Sequence, residues 1–184
     1  MRAIVNAIRA GELTAEPRLV ISNNADSAAL EFARDEGLAF RRISATSEGG
    51  ADAADQAIAE AMAAAGVELV VLSGYMRKLG PQMLQRYAGR ILNIHPALLP
   101  KYGGRGMYGR NVHEAVRASG DAVSGATIHV VDGDYDTGPV IARREAPLPS
   151  GATADEIEAA VRAIEPQFYV DTLKDIAEGR IRLP

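Results

Sequence analysis

Short β-branched and apolar runs alternate with Ala-rich amphipathic segments from near the start of the chain to about Leu148. The runs are Leu19-Val20-Ile21, Phe40 to Ile43, Leu69 to Leu72, Ile91 to Ile94, Thr127 to Val131 and Pro139 to Ala146. Several are apolar on both faces, the pattern of strands covered by helices on either side. Between them, Asp26-Ser27 predicts the cap of a helix that Gly37 closes, and Asp52 to Ala65 reads as a second helix closed by Gly66. Strands separated by helices indicate a mainly parallel α/β sheet. From Gly125 onward the spacing changes, and the turn-rich stretch Asp132 to Gly138 joins two strands into a hairpin-like, antiparallel extension. A long helix, about Ala154 to Glu178, closes the chain, and Pro166 is expected to kink it or split it in two. The first ten residues read as a helix whose Ile4, Val5 and Ile8 want a sheet to cover, yet no strand precedes it. In α/β nucleotide-binding folds a first strand and its Gly-rich turn deliver phosphate to that helix. Neither piece is written in this sequence.

Composition narrows the class. A chain of 184 residues with 47% apolar positions is expected to form one globular domain with a sizeable core. Twenty basic residues against 24 acidic ones, net −4, argue against a dedicated nucleic-acid binder. With no Cys there is no disulfide scaffold, thiolate metal site or cysteine nucleophile. The apolar stretches around Val67 to Leu72 and Ile91 to Leu99 are far shorter than the roughly 20 residues of a membrane span. Arg2, Arg9 and Glu12 interrupt the place where a signal peptide carries its apolar region. The expectation is a soluble cytoplasmic protein.

Two segments carry the chemistry. Asn93-Ile94-His95-Pro96 directly follows a strand, and ligands of open α/β sheets sit at the carboxyl ends of strands. Residues two apart on an extended segment point to one side. An amide donor beside an imidazole suits polarisation of a carbonyl and stabilisation of an oxyanion. The second segment, Asp132-Gly-Asp-Tyr-Asp136-Thr-Gly-Pro139, follows Thr127-Ile-His129. Its alternate acids imitate part of a calcium loop, but position 143, where that loop needs a bidentate Glu, is Arg143. The remaining readings are a solvated acidic turn, or one carboxylate that orients the His95 imidazole. Gly104-Arg-Gly106-Met-Tyr-Gly109 matches a dinucleotide fingerprint in letters only, because it follows a Pro-containing loop instead of a strand. A mobile loop over the site fits it better. The three histidines lack metal-ligand spacing, and there is no nucleophile-elbow serine.

Several ordered blocks resemble one known family across nearly the whole chain. They are Val20-Ile-Ser-Asn23, Val71-Leu-Ser-Gly-Tyr-Met-Arg77, Tyr87 to Lys101 including Asn93-Ile-His-Pro-Ala-Leu-Leu-Pro100, and His129 to Ile141 with Asp136-Thr-Gly-Pro-Val. The family is the phosphoribosylglycinamide formyltransferases, or glycinamide ribonucleotide transformylases, of purine synthesis. The wider formyltransferase group shares the Asn-x-His and a distant Asp, but only this branch is similar outside those three residues.

The resemblance implies a Rossmann-like, mainly parallel sheet flanked by helices with an antiparallel C-terminal extension. It also implies one formyltransferase domain over 1–184, N-terminally truncated relative to the family. The implied reaction moves the formyl group of 10-formyltetrahydrofolate, a co-substrate, to the amino group of glycinamide ribonucleotide without a metal. Asn93, His95 and Asp136 would be catalytic. Met76, Arg77, Lys78, Leu79, Leu84, Asn93, Asp132, Gly133, Asp134, Tyr135 and Asp136 would meet the folate. Gly74, Pro96, Gly104, Met107 and Glu165 would meet the nucleotide. The implied partners are these small molecules, with no nucleic acid and no membrane; a homodimer and the isomer of the Leu99-Pro100 bond stay open. Two departures stand out. The family's strand and Gly-x-Gly-Ser-Asn phosphate loop, which precede the first helix, have no counterpart here. Ala51 stands where some relatives place an Arg for the folate's glutamate tail, and Arg77 and Lys78 are the nearby cations. Three alternatives stay open: hydrolysis of formyltetrahydrofolate, transfer to another amine, and a folate-binding pseudoenzyme that lacks the phosphate loop.

Overall fold

The structure, a computed structural model, describes residues 1–184. The helices are α1 (Arg2–Arg9), α2 (Ala28–Asp35), α3 (Ala45–Glu48), α4 (Ala51–Ala64), α5 (Pro81–Arg86), α6 (Arg110–Ser119) and α7 (Ala154–Ala177). The strands are β1 (Val20–Ser22), β2 (Phe40–Arg42), β3 (Val70–Leu72), β4 (Ile91–His95), β5 (Val123–Val130) and β6 (Val140–Pro147). Local chemistry sets most boundaries. The Ser27 hydroxyl accepts the Leu30 N–H at 3.3 Å to start α2. Thr153 and Glu156 form a reciprocal capping box that starts α7.

Helix α5 is short and starts with Pro81, whose missing N–H costs nothing in the first turn. Its free N-terminal amides are capped from another helix. The Asp55 carboxylate of α4 accepts the Gln82 N–H at 2.7 Å and the Met83 N–H at 3.2 Å. A Cβ on Gly80 would run into that carboxylate, so the approach of α4 to α5 requires glycine. Neither α5 nor α6 shows in the apolar pattern; one is six residues long, and the other follows the glycine-rich loop and opens Arg-Asn-Val-His.

The strands form a parallel pair, β1 with β2, and a four-stranded sheet in the order β3-β4-β5-β6. Strand β3 runs parallel to β4, while β4/β5 and β5/β6 are antiparallel. No ladder joins β1 to β3, although Leu19 and Ile21 pack on the same apolar cluster as Val70, Ile58, Met83 and Ile91. On the opposite face, Leu92, Ile128 and Val130 pack with Val161, Phe168 and Val170 of α7 and with Ala7 of α1. Each such Leu, Ile, Val or Phe is worth about 1.5–3 kcal/mol when buried. A third cluster joins Ala97 and Tyr102 to Val112, Val116 and Ile157, fixing the loop after β4 against α6 and α7.

Pro166 does not split α7, which runs unbroken from Ala154 to Ala177. Proline removes one ladder hydrogen bond, but both halves are anchored to the core, through Ile157 and Val161 before it and Phe168, Tyr169, Val170 and Leu173 after it. The buried Tyr169 hydroxyl also donates to the Leu92 carbonyl at 2.9 Å, tying α7 to β4.

Candidate active site

Strand β4 ends at His95, which places Asn93 and His95 on one face at its carboxyl end. In the antiparallel register Asn93 stands opposite His129 and His95 opposite Thr127. The segment that follows is folded back onto β5: the Thr127 hydroxyl donates to the Ala97 carbonyl at 2.7 Å and accepts the Leu99 N–H at 3.0 Å. The Leu99-Pro100 peptide is cis, which settles the isomer left open above.

His95 is 3% exposed, and both ring nitrogens are accounted for. Nε2–H donates to the Tyr102 carbonyl at 2.7 Å. Nδ1 faces the Asp136 carboxylate, 3.5 Å from Oδ2. Burial pushes the imidazole below its ordinary pKa, against the opposing pull of Asp136 and of the Tyr102 carbonyl, and the His129 ring adds to the lowering. At neutral pH the ring is uncharged and Nδ1 carries a lone pair. His95 is therefore a proton acceptor at Nδ1 and has no spare N–H with which to donate.

Asp136 sits in the turn between β5 and β6 at φ 56°, the one non-glycine residue with positive φ. Such a backbone costs of order 1–3 kcal/mol and persists where its surroundings hold it. They do so here on two sides. The Gly104 N–H donates to Oδ2 at 3.0 Å, and Oδ1 lies 3.5 Å from His129 Nε2. Burial pushes the Asp136 carboxyl up, but the His129 ring, the His95 ring and the Gly104 N–H outweigh it and hold it below the usual carboxylate range. The turn is shaped from within. Asp132 Oδ1 accepts the Asp134 N–H at 3.2 Å and the Thr137 hydroxyl at 2.8 Å. A Cβ on Gly138 would collide with the Val130 carbonyl, so the turn closes only with glycine there.

The remaining candidates fall into two groups. Gly74, Met76, Arg77 and Lys78 occupy the loop between β3 and α5, and this loop meets the β5/β6 turn where the Lys78 ammonium lies 5.5 Å from the Tyr135 ring centroid. Met76 is 70% exposed beside it, and Leu79 and Leu84 pack onto the core from below. Gly133 and Asp134 lie exposed on the facing turn. On the other side, Pro96 follows His95 directly, Gly104 touches Asp136, and Met107 packs against the cluster of Ala97 and Tyr102. Glu165 of α7 is half-buried, and burial pushes its carboxyl up, with Arg162 opposing and Glu158 reinforcing. No hydrogen bond joins Met107 or Glu165 to the Asn93–Asp136 cluster.

Reading the residues alone misses three members of the cluster. His129 lies two positions from Thr127 on the inward face of β5, so two-residue periodicity could have marked it; its partner depends on the β4/β5 register. Thr127 is legible in the same way. The Tyr102 carbonyl leaves no side-chain signature at all.

The formyl transferase family matches residues 1–173 of this chain. The phosphoribosylglycinamide formyltransferase of Escherichia coli is 34% identical over 183 residues, covering 100% of this chain and 84% of that protein. The chloroplastic phosphoribosylglycinamide formyltransferase of Vigna unguiculata is 33% identical over 180 residues, covering 98% of this chain and 58% of that protein. The chain thus spans little more than half of the plant relative and most of the bacterial one. Among solved structures, glycinamide ribonucleotide transformylase 1 from Symbiobacterium toebii superposes with a TM-score of 0.89 at 33% identity, covering 99% of this chain and 87% of that one.

Proposed function

Since this chain belongs to the formyl transferase family, we propose that it transfers the formyl group of 10-formyltetrahydrofolate to the amino group of glycinamide ribonucleotide, as one domain over residues 1–184. The observation that carries this reading is the convergence of Asn93, His95 and Asp136 at the carboxyl end of β4. That cluster holds an amide donor, an imidazole whose Nδ1 carries a lone pair, and an ionised carboxylate beside it.

Each group has one task. The substrate amine attacks the formyl carbon, and the carbonyl electron pair moves onto oxygen. An Asn93 N–H donates to that oxygen as its negative charge develops. His95 Nδ1 takes the proton that the amine sheds, and the imidazolium so formed lies 3.5 Å from Asp136. The proton then passes to N10 of the folate as the carbon–N10 bond breaks, leaving tetrahydrofolate and a formamide. The Tyr102 carbonyl keeps Nε2 occupied throughout, so the proton enters and leaves by Nδ1.

The folate is assigned to the place where the β3–α5 loop meets the β5/β6 turn. Pterin edges carry fixed donors and acceptors, which backbone groups of Asp132, Gly133, Asp134, Tyr135 and Asp136 match without side-chain entropy. Met76, Leu79 and Leu84 supply apolar surface, and Arg77 and Lys78 the cations for an anionic tail. The nucleotide is assigned to the side of Gly74, Pro96, Gly104 and Met107. Glu165, a half-buried carboxyl, suits acceptance of ribose hydroxyls. Cytoplasmic location belongs to the same proposal; separately, no helix is long and apolar enough to cross a membrane.

A steady-state assay with both substrates, monitoring tetrahydrofolate and formate in parallel, tests the reading. Tetrahydrofolate formation that requires glycinamide ribonucleotide and yields its formamide is expected. Release of formate at the same rate with and without the nucleotide would replace transfer with hydrolysis.

A further inference from the structure

His129 is 2% exposed and takes no part in the steps above, yet it touches two of the three groups that do. Its Nδ1 lies 3.0 Å from the Val130 carbonyl. A carbonyl oxygen only accepts, so Nδ1 carries the proton, and the tautomer protonated there presents a lone pair at Nε2. That lone pair lies 3.1 Å from Asn93 Nδ2 and 3.5 Å from Asp136 Oδ1. The carboxylate is the weaker competitor, because the Val130 carbonyl is nearer to its ring nitrogen than Asp136 is to Nε2. With Nε2 as an acceptor, only the nitrogen end of the Asn93 amide fits against it; the flipped amide would set two acceptors face to face. One N–H of Asn93 Nδ2 is then spent on His129, and the second N–H of the same nitrogen is held in a fixed direction.

We propose that His129 is a positioning residue: its imidazole, locked as the Nδ1–H tautomer by the Val130 carbonyl, orients the Asn93 amide so that its second N–H meets the developing oxyanion. This role rests on the formyl-transfer reading above. The lock is built from the fold. The Asn93–His129 pairing comes from the β4/β5 register, and the ladder is irregular between Ile128 and His129, where the ring reaches the carbonyl of its own neighbour. An unlocked amide would present its oxygen to the oxyanion for part of the time, and repulsion would replace the hydrogen bond.

Three variants separate positioning from packing. In His129→Gln, the terminal oxygen stands where Nε2 stood and accepts the Asn93 N–H. In His129→Asn the polar atoms stand where Nδ1 stood and do not reach. His129→Leu keeps the volume and removes both. We expect His129→Leu and His129→Asn to lower kcat by about tenfold or more, a fraction of the loss on deleting an oxyanion donor outright. KM for both substrates should stay within about threefold, and His129→Gln should recover most of kcat. In an Asn93→Ala background, His129→Leu should change kcat by less than about twofold, because the group it positions is gone. An equal loss from His129→Leu in the presence and absence of Asn93 would overturn the proposal, as would equal activity of the Gln and Asn variants. Long-range 1H–15N spectra of the unliganded wild-type protein read the tautomer without turnover: Nδ1–H is expected, and Nε2–H overturns the lock. A wild-type protein that transfers no formyl group would defeat the functional reading and with it the positioning role, while the same spectra still decide whether the imidazole holds the amide.

Discussion

Asp136→Asn removes one charge from the site with almost no change of shape. The wild-type carboxylate accepts the Gly104 N–H at Oδ2 and faces His95 Nδ1 at 3.5 Å. An asparagine keeps the Gly104 hydrogen bond through its oxygen and turns its NH2 towards His129. What it cannot do is stabilise the imidazolium that forms when Nδ1 takes the proton. Two unit charges 3.5 Å apart attract by about 4–5 kcal/mol at an effective dielectric of about 20. With proton transfer roughly half complete in the transition state, about 2–3 kcal/mol of this is lost, and kcat falls about 30- to 150-fold. KM for either substrate should change little, because the missing interaction arises only as charge develops. The pH profile supplies an independent check of sign. Asp136 opposes the burial that lowers His95, so its removal pushes the imidazole lower still. With His95 as the base of the proposed reaction, the acid limb of kcat should move to lower pH in the variant. Initial rates across pH measure both effects. A kcat within about threefold of wild type, or an acid limb displaced upward, would refute the assigned coupling of the two residues.

Three further outcomes follow from the same geometry. Asn93→Ala should lower kcat about 10²- to 10³-fold with folate affinity, measured by calorimetry, largely retained; an equal loss in kcat and affinity would mean that Asn93 binds ground state instead. Asp55→Ala orphans the Gln82 and Met83 amides at the start of α5 and should destabilise the fold by roughly 2–4 kcal/mol. The melting temperature should fall by roughly 5–12 °C, and an unchanged melting curve would remove the cap from the explanation. His113 is buried with Nδ1 unpartnered, and burial lowers its pKa, aided by Arg162, His95 and Arg110 against the pull of Glu158. The unfolded chain then binds the proton first, so stability present above the ordinary value of 6.5 is lost as pH falls through and below it. Urea unfolding at pH 7.5 and at about pH 5.5 should show a smaller acid loss in His113→Leu than in wild type; equal losses would contradict this.

Most strands were legible as short β-branched or apolar runs bounded by turn residues, and the observed limits of β3, β4 and β6 differ from the expected ones by a residue or so, whereas β5 begins at Val123, four residues before its expected start at Thr127. Helix α2 was legible through its cap at Ser27 and its stop at Gly37. Helices α5 and α6 were not, for physical reasons. The N-terminus of α5 is completed by Asp55 from 26 positions before Pro81, so its stabilising contact is tertiary. Helix α6 is uncapped by side chains and opens on polar residues. Pro166 does not divide the helix, because the one lost hydrogen bond is outweighed by apolar anchors on both sides. In the site, Asn93 and His95 stood out by spacing, since period two on a strand is a local property. Choosing Asp136 among three acids needed the family resemblance; in the structure its Oδ2 lies against both Gly104 and His95. The contact of His129 with Asn93 depends on a register between strands 36 residues apart, which no local pattern encodes.

The most direct test of the proposed chemistry is a crystal structure of this protein with glycinamide ribonucleotide and a non-transferable 10-formyl folate analogue. The formyl oxygen is expected within hydrogen-bond distance of Asn93 Nδ2, with the substrate amine on the side of His95 Nδ1 and Asp136. A formyl group bound with its oxygen facing away from Asn93 and the amine remote from His95 would contradict the assignment of all three residues.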